Sequence, residues 1–125
     1  MSVVPVEPRP LNDSERAVLD HLLTVDFVGA SALRSQLDRT EVVATWGARS
    51  VSVDLRVRGL EPHPAPAFTL VPVGAFVHDR SGEYIGELLV WVEGGTTLSA
   101  LEYAWVTDEM PTSLPSVDQI RLTAD

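Results

Sequence analysis

Cysteine and lysine are both missing from this 125-residue chain, and asparagine occurs once, at Asn12. Without a thiol there is no disulfide staple, no thiolate metal site and no cysteine nucleophile. All nine basic residues are arginine; with abundant alanine and valine, this composition carries the mark of GC-rich coding. Apolar runs stay far short of a bilayer span. The opening Met1-Ser2-Val3-Val4-Pro5 has neither a basic leader nor an apolar segment of secretory length, so a cytoplasmic location with no membrane partner is expected. There is no G-x-S-x-G elbow, phosphate-binding glycine loop, H-x-x-x-H pair or calcium loop to carry a familiar chemistry. His21, His63 and His78 stand on a helix flank, between prolines and before a turn. That is not the convergent set of three or four ligands that zinc requires. Neither a metal nor a cofactor is expected.

An apolar share of 45% against 22% charged residues marks a globular protein. The length suits a single domain, which buries roughly two thirds of its unfolded surface on folding. The net charge of −9 is unevenly placed. Residues 1–60 hold eight acids against seven arginines, whereas residues 61–125 hold ten acids against Arg80 and Arg121. Phosphate would be repelled by such a half and basic surfaces attracted. Nucleic acid is therefore not an expected partner, because its binding rests on cationic neutralisation of phosphates.

Pro5, Pro8 and Pro10 predict an extended lead-in over residues 1–10, with the domain proper spanning 11–125. Asn12 is a good N-cap, and Glu15 three residues later completes a capping box. Val18, Leu19, Leu22 and Leu23 then form one apolar stripe, so a helix is expected to about residue 24. A shorter helix is expected over 30–37. From Glu41 the period becomes two: residues 41–45 and 50–58 read as paired strands around Trp46-Gly47-Ala48. Residues 59–66 are loop, and 67–78 a strand bent or bulged at Pro72 and Gly74. Asp79-Arg80-Ser81-Gly82 and Glu93-Gly94-Gly95-Thr96 are hairpin turns, between strands 67–78, 83–92 and 98–106. Residues 116–122 form a helical turn or an edge strand. The fold class is thus α+β: two N-terminal helices packed on a five- to six-stranded antiparallel meander. A cone-shaped sheet around a small-ligand cavity, as in nuclear-transport-factor-like folds, is the architectural alternative.

In the last hairpin a two- or four-residue loop sets Leu88 and Val90 on the side of Leu101, Tyr103 and Trp105. Glu87 and Glu102 then project together from the other side. Paired carboxylates divide acid and base roles when their environments separate their pKa values, and otherwise form a solvated outer face. A three-residue loop would separate the two. Trp91 shares its side with Ile85 and Leu89, so this strand is apolar on both faces. It must be covered on both, or use one as an interface that includes a homodimer contact.

The stretch from Gly86 to Pro115, with Leu98-Ser99-Ala100-Leu101-Glu102-Tyr103, Asp108-Glu109-Met110-Pro111 and Leu114-Pro115, resembles a set of short proteins from high-GC bacteria that have no assigned activity. The strand Val53-Asp54-Leu55-Arg56-Val57 is similar to theirs as well. Several of those carry a Cys-Gly-Cys-like turn before that strand, where this chain has Trp46-Gly47-Ala48. The resemblance therefore implies that any metal or redox role of such cysteines is lost here.

Three function classes fit these observations. The leading one is a small acidic interaction protein, of antitoxin or immunity type, that binds a basic protein. Its contact residues would be Trp46, Trp91, Glu87, Glu102, Asp108 and Glu109. A ligand-binding or enzymatic domain with a cavity lined by Trp91, Tyr103 or Trp105 is the second. A structural accessory subunit working through a sheet face is the third.

Overall fold

A computed structural model describes residues 3–61, 63–64 and 67–124. The lead-in is itself a strand, β1 (Val4–Pro10), which pairs antiparallel with β2 (Thr40–Thr45) at the edge of the sheet. Three prolines cost it little there, since an edge strand bonds to only one neighbour. Between them run α1 (Asp13–Leu22), α2 (Ala30–Arg34) and a single 3₁₀ turn at Leu37–Arg39. The helices thus follow a strand, and the second is shorter than its apolar pattern predicts.

The capping box at the start of α1 is formed in full. Glu15 N–H donates to Asn12 Oδ1 at 2.8 Å, and Asn12 N–H to Glu15 Oε1 at 2.9 Å. Glu15 is only 3% exposed. Its charge is answered by Arg9 of β1, whose two terminal nitrogens reach its two oxygens at 2.8 and 3.0 Å. This bidentate contact raises the Arg9 guanidinium pKa further, through the hydrogen bond to Glu15.

The remaining strands are β3 (Val53–Val57), β4 (Phe68–Leu70), β5 (Val73–His78), β6 (Tyr84–Glu93), β7 (Thr97–Trp105) and β8 (Ile120–Ala124). Along the sheet the order is β1-β2-β3-β7-β6-β5-β8, with β4 also on β6. The sheet therefore has eight strands, and it is a meander only in part: the chain crosses from β3 past three strands before β7 returns beside it. It stays open, with β1 and β8 at its edges. The expected bend lies at Pro72, which divides one long strand into β4 and β5. Val73 N–H turns back to Val71 C=O across it at 2.9 Å, while Val71 N–H bonds Val90 C=O at 3.0 Å. Residues 116–122 form both expected elements, a 3₁₀ turn at Val117–Gln119 and the edge strand β8.

One core joins the two layers. Val18, Leu19, Leu22 and Leu23 of the helical side meet Val42, Leu55, Val77, Leu88, Val90 and Leu101 of the sheet. Gln36 fastens the layers with polar contacts. Its amide donates to Thr96 C=O at 2.7 Å and accepts from Leu98 N–H at 3.0 Å. Among the described residues the opposite face of the sheet carries no helix, and apart from the small Ala44 and Ala100 its side chains are half-buried or exposed.

Candidate functional site

Two backbone irregularities shape that helix-free face. The β6–β7 hairpin has a three-residue loop, Gly94 to Thr96, with Glu93 opposite Thr97. A shift between Trp91 and Val92 then adds one residue to β7 at Ser99, and this bulge restores the facing that a four-residue loop would give. Leu88 thus opposes Tyr103 and Val90 opposes Leu101, both pairs inward. A similar shift between Val42 and Ala44 turns Ala44 outward beside Asp54.

The result is a row across four strands: Trp91 opposite Ala100, Ala100 opposite Asp54, and Asp54 opposite Ala44. Ala100, small between larger side chains, floors a groove of about 400 Å³, bordered by Trp91, Trp46, Phe68, Asp54 and Glu93. Both indoles are pinned. Trp46 Nε1–H donates to Asp54 Oδ1 at 2.9 Å, and Trp91 Nε1–H to Glu102 Oε1 at 3.0 Å. Each bond holds an aromatic ring and a carboxylate in fixed relation, and leaves carboxylate lone pairs free for another donor. Beside the groove, Phe68 and Leu70 of β4 are 56% and 42% exposed.

Glu87 and Glu102 do lie on one face, but they are not opposite each other. Glu87 faces Ala104 and Glu102 faces Leu89, so the carboxylates sit on a diagonal, and Glu102 is engaged by Trp91 instead. The two carboxylates are therefore not a cross-strand pair. Trp46 is drawn from its turn onto the sheet by Asp54. Trp91 is half-buried without any cover from the tail, which forms β8 at the edge. Asp108 and Glu109 stand exposed on the loop after β7, next to Met110. The six candidate contact residues thus divide into Trp91 and Glu102, bonded to each other, Trp46, which lines a cavity with each of them, Glu87 farther along the same face, and Asp108 and Glu109 beyond its end.

Asp54 and Phe68 were not singled out by the sequence. The alternation of β3 places Asp54 outward, but its bond to Trp46 depends on the tip geometry of the hairpin. Ser52 is a similar case: on a nominally wet position, it is 3% exposed because its hydroxyl accepts Tyr103 N–H at 2.9 Å where β3 and β7 separate.

The charge of the face is not uniform. Glu41 is taken by Arg56 at 3.0 Å and Arg58 at 4.0 Å, and Arg121 stands on β8, across Phe76 from Glu87. Among the described residues Asp54, Glu87, Glu93 and Glu102 have no salt-bridge partner. The described residues contain no group of three or more His, Cys, Asp or Glu able to hold a metal ion, and no helix long and apolar enough to cross a membrane. No protein-family model, curated protein or solved structure matches the chain.

Proposed function

We propose that the protein is a small acidic interaction module whose helix-free sheet face docks a basic protein. The observation that carries this reading is the pairing of each groove indole with a carboxylate, Trp46 with Asp54 and Trp91 with Glu102, beside the exposed Phe68 and Leu70. Aromatic anchors near a desolvated centre supply most of the affinity at protein interfaces. Unpaired carboxylates around them select a cationic surface and raise the association rate. The acidic residues 61–125 extend this field through Glu83, Glu87, Glu93, Asp108 and Glu109. An immunity or antitoxin role, in which a basic toxin is the partner, is the specific form of the proposal.

The test is capture of partners by the wild-type chain and by two charge-reversed forms, followed by affinity measurement on each purified complex. Asp54→Arg with Glu102→Arg should abolish the complex, whereas Asp13→Arg with Asp20→Arg on α1 should retain it. A partner that is acidic, or one lost only with the α1 reversals, overturns the proposal. Self-association through Phe68 and Leu70 would replace it with the homodimer reading.

A further inference from the structure

Beyond the pairs Val53–Leu101 and Asp54–Ala100 the ladder between β3 and β7 stops. The tip of the β2–β3 hairpin and the last residues of β7 diverge there, and a second cavity of about 300 Å³ opens between them. Trp46 lines both cavities. Trp105 and Met110, with the buried Tyr103 behind them, complete an apolar lining, and among the described residues Glu102 is the one charged side chain in it. The carboxylate is already oriented, since its Oε1 accepts the Trp91 indole N–H.

We infer that this cavity seats an arginine side chain presented by the partner protein, an inference that rests on the docking face proposed above. The Trp46 and Trp105 indoles border the cavity, and an indole attracts a cation placed over its face. The apolar lining accepts the methylene stem of a long basic side chain. Glu102 then supplies the counter-charge, and no basic side chain of the chain's own lines the cavity among the described residues. Arginine suits the site better than lysine: its guanidinium is planar, weakly hydrated and able to stack on an indole while donating to a carboxylate. The volume, at the bottom of the roughly 300–1,000 Å³ range of small-molecule clefts, matches one side chain rather than a cofactor.

Three blocked tripeptides, acetyl-Ala-Xaa-Ala-amide with Xaa arginine, lysine or citrulline, test this directly. Citrulline keeps the shape of arginine without its charge. Binding is read from the three indole N–H signals in ¹H–¹⁵N spectra, assigned by Trp→Phe substitution. The arginine peptide should shift Trp46 and Trp105, and citrulline should bind at least about tenfold more weakly, as loss of a cation–π and charge contact implies. Lysine should fall between them. Glu102→Gln keeps an acceptor for Trp91 and should reduce arginine binding to the citrulline level; Met110→Ser, at the rim, should weaken all three alike. Equal binding of citrulline, binding of lysine as tight as arginine, or indifference to Glu102→Gln overturns the inference. If Trp91 shifts while Trp46 and Trp105 do not, the arginine cavity falls and the docking face stands. If no indole responds to either cationic peptide while a captured partner still depends on Asp54 and Glu102, the result is the same.

Discussion

Arg9 shows how one side chain ties a sheet edge to a helix start. Glu15 caps α1 and is buried, so its carboxylate needs a cation, and Arg9 provides one from a strand six residues earlier. Arg9→Ala would leave that charge uncompensated. We expect a loss of about 2 kcal/mol, below the usual cost of breaking a buried pair because Arg9 is itself half in water. Asn12→Ala should cost about 1 kcal/mol, the worth of an N-cap. Urea denaturation of both variants checks these values, and an Arg9→Ala cost near zero would mean that Glu15 is solvated. The cap was legible in the sequence, because Asn12 and Glu15 are local. The clamp was not, since it requires β1 to lie against β2. Trp46 and Asp54 follow the same rule: both were visible as residues, whereas their bond depends on a hairpin tip that no periodicity specifies.

At the scale of elements, turns decide what faces where. The Asp79 carboxylate accepts from the Ser81 hydroxyl and from the Ser81 and Glu83 N–H groups, which folds the turn into β6. Those bonds, Ser81 hydroxyl first and Glu83 N–H next, hold its pKa below the ordinary carboxylate value. The Ser116 hydroxyl and then Arg80 do the same for Asp118. A pKa lower in the folded state means that the ionised form favours folding. This stabilisation is complete above the unfolded pKa of about 3.9 and is lost as pH falls through the lower folded values. Asp79→Asn with Asp118→Asn should therefore melt at lower temperature near neutrality, yet lose less on acidification than the wild type. An unchanged acid slope would contradict this.

The β6–β7 turn makes a second test. Gly94 and Gly95 have φ of +61° and +75°, a region that costs other residues about 1–2 kcal/mol. A methyl group at Gly94 also runs into the His63 ring, whereas at Gly95 it meets open space. Gly94→Ala should therefore destabilise more than Gly95→Ala in thermal melts, and equal costs would show that the His63 contact is weak. The turn and both flanking strands were legible from alternation and paired glycines. The bulge at Ser99 was not, because alternation counts residues and a bulge alters the count without changing composition. That is why the loop length alone misjudged the relation of Glu87 to Glu102.

The whole molecule is an α+β domain whose class follows from its periodicities but whose strand order does not. Neighbouring hairpins such as β5–β6–β7 are dictated by short turns, while the pairing of β3 with β7 joins residues 53–54 to 100–101. Only the packed core selects that contact. The proline-rich opening also enters the sheet as an edge, which its composition argues against when taken alone. Folding should need no metal: the chain has no cysteine, and its described residues offer no convergent ligand set. EDTA should leave the melting temperature unchanged, and a fall of many degrees would refute that.

The central claim is that an acidic, aromatic face recruits a basic partner, and charge should act mainly on encounter. Its most direct measurement is stopped-flow association of the captured partner across ionic strength, with the wild type and two reversed forms. As salt rises to physiological strength the screening length shortens toward about 8 Å. Association of the wild type should slow while dissociation changes little. Asp108→Arg with Glu109→Arg should lower the association rate and flatten its salt dependence, more than Asp13→Arg with Asp20→Arg does. An association rate indifferent to salt, or one sensitive to the helix reversals alone, would contradict the account.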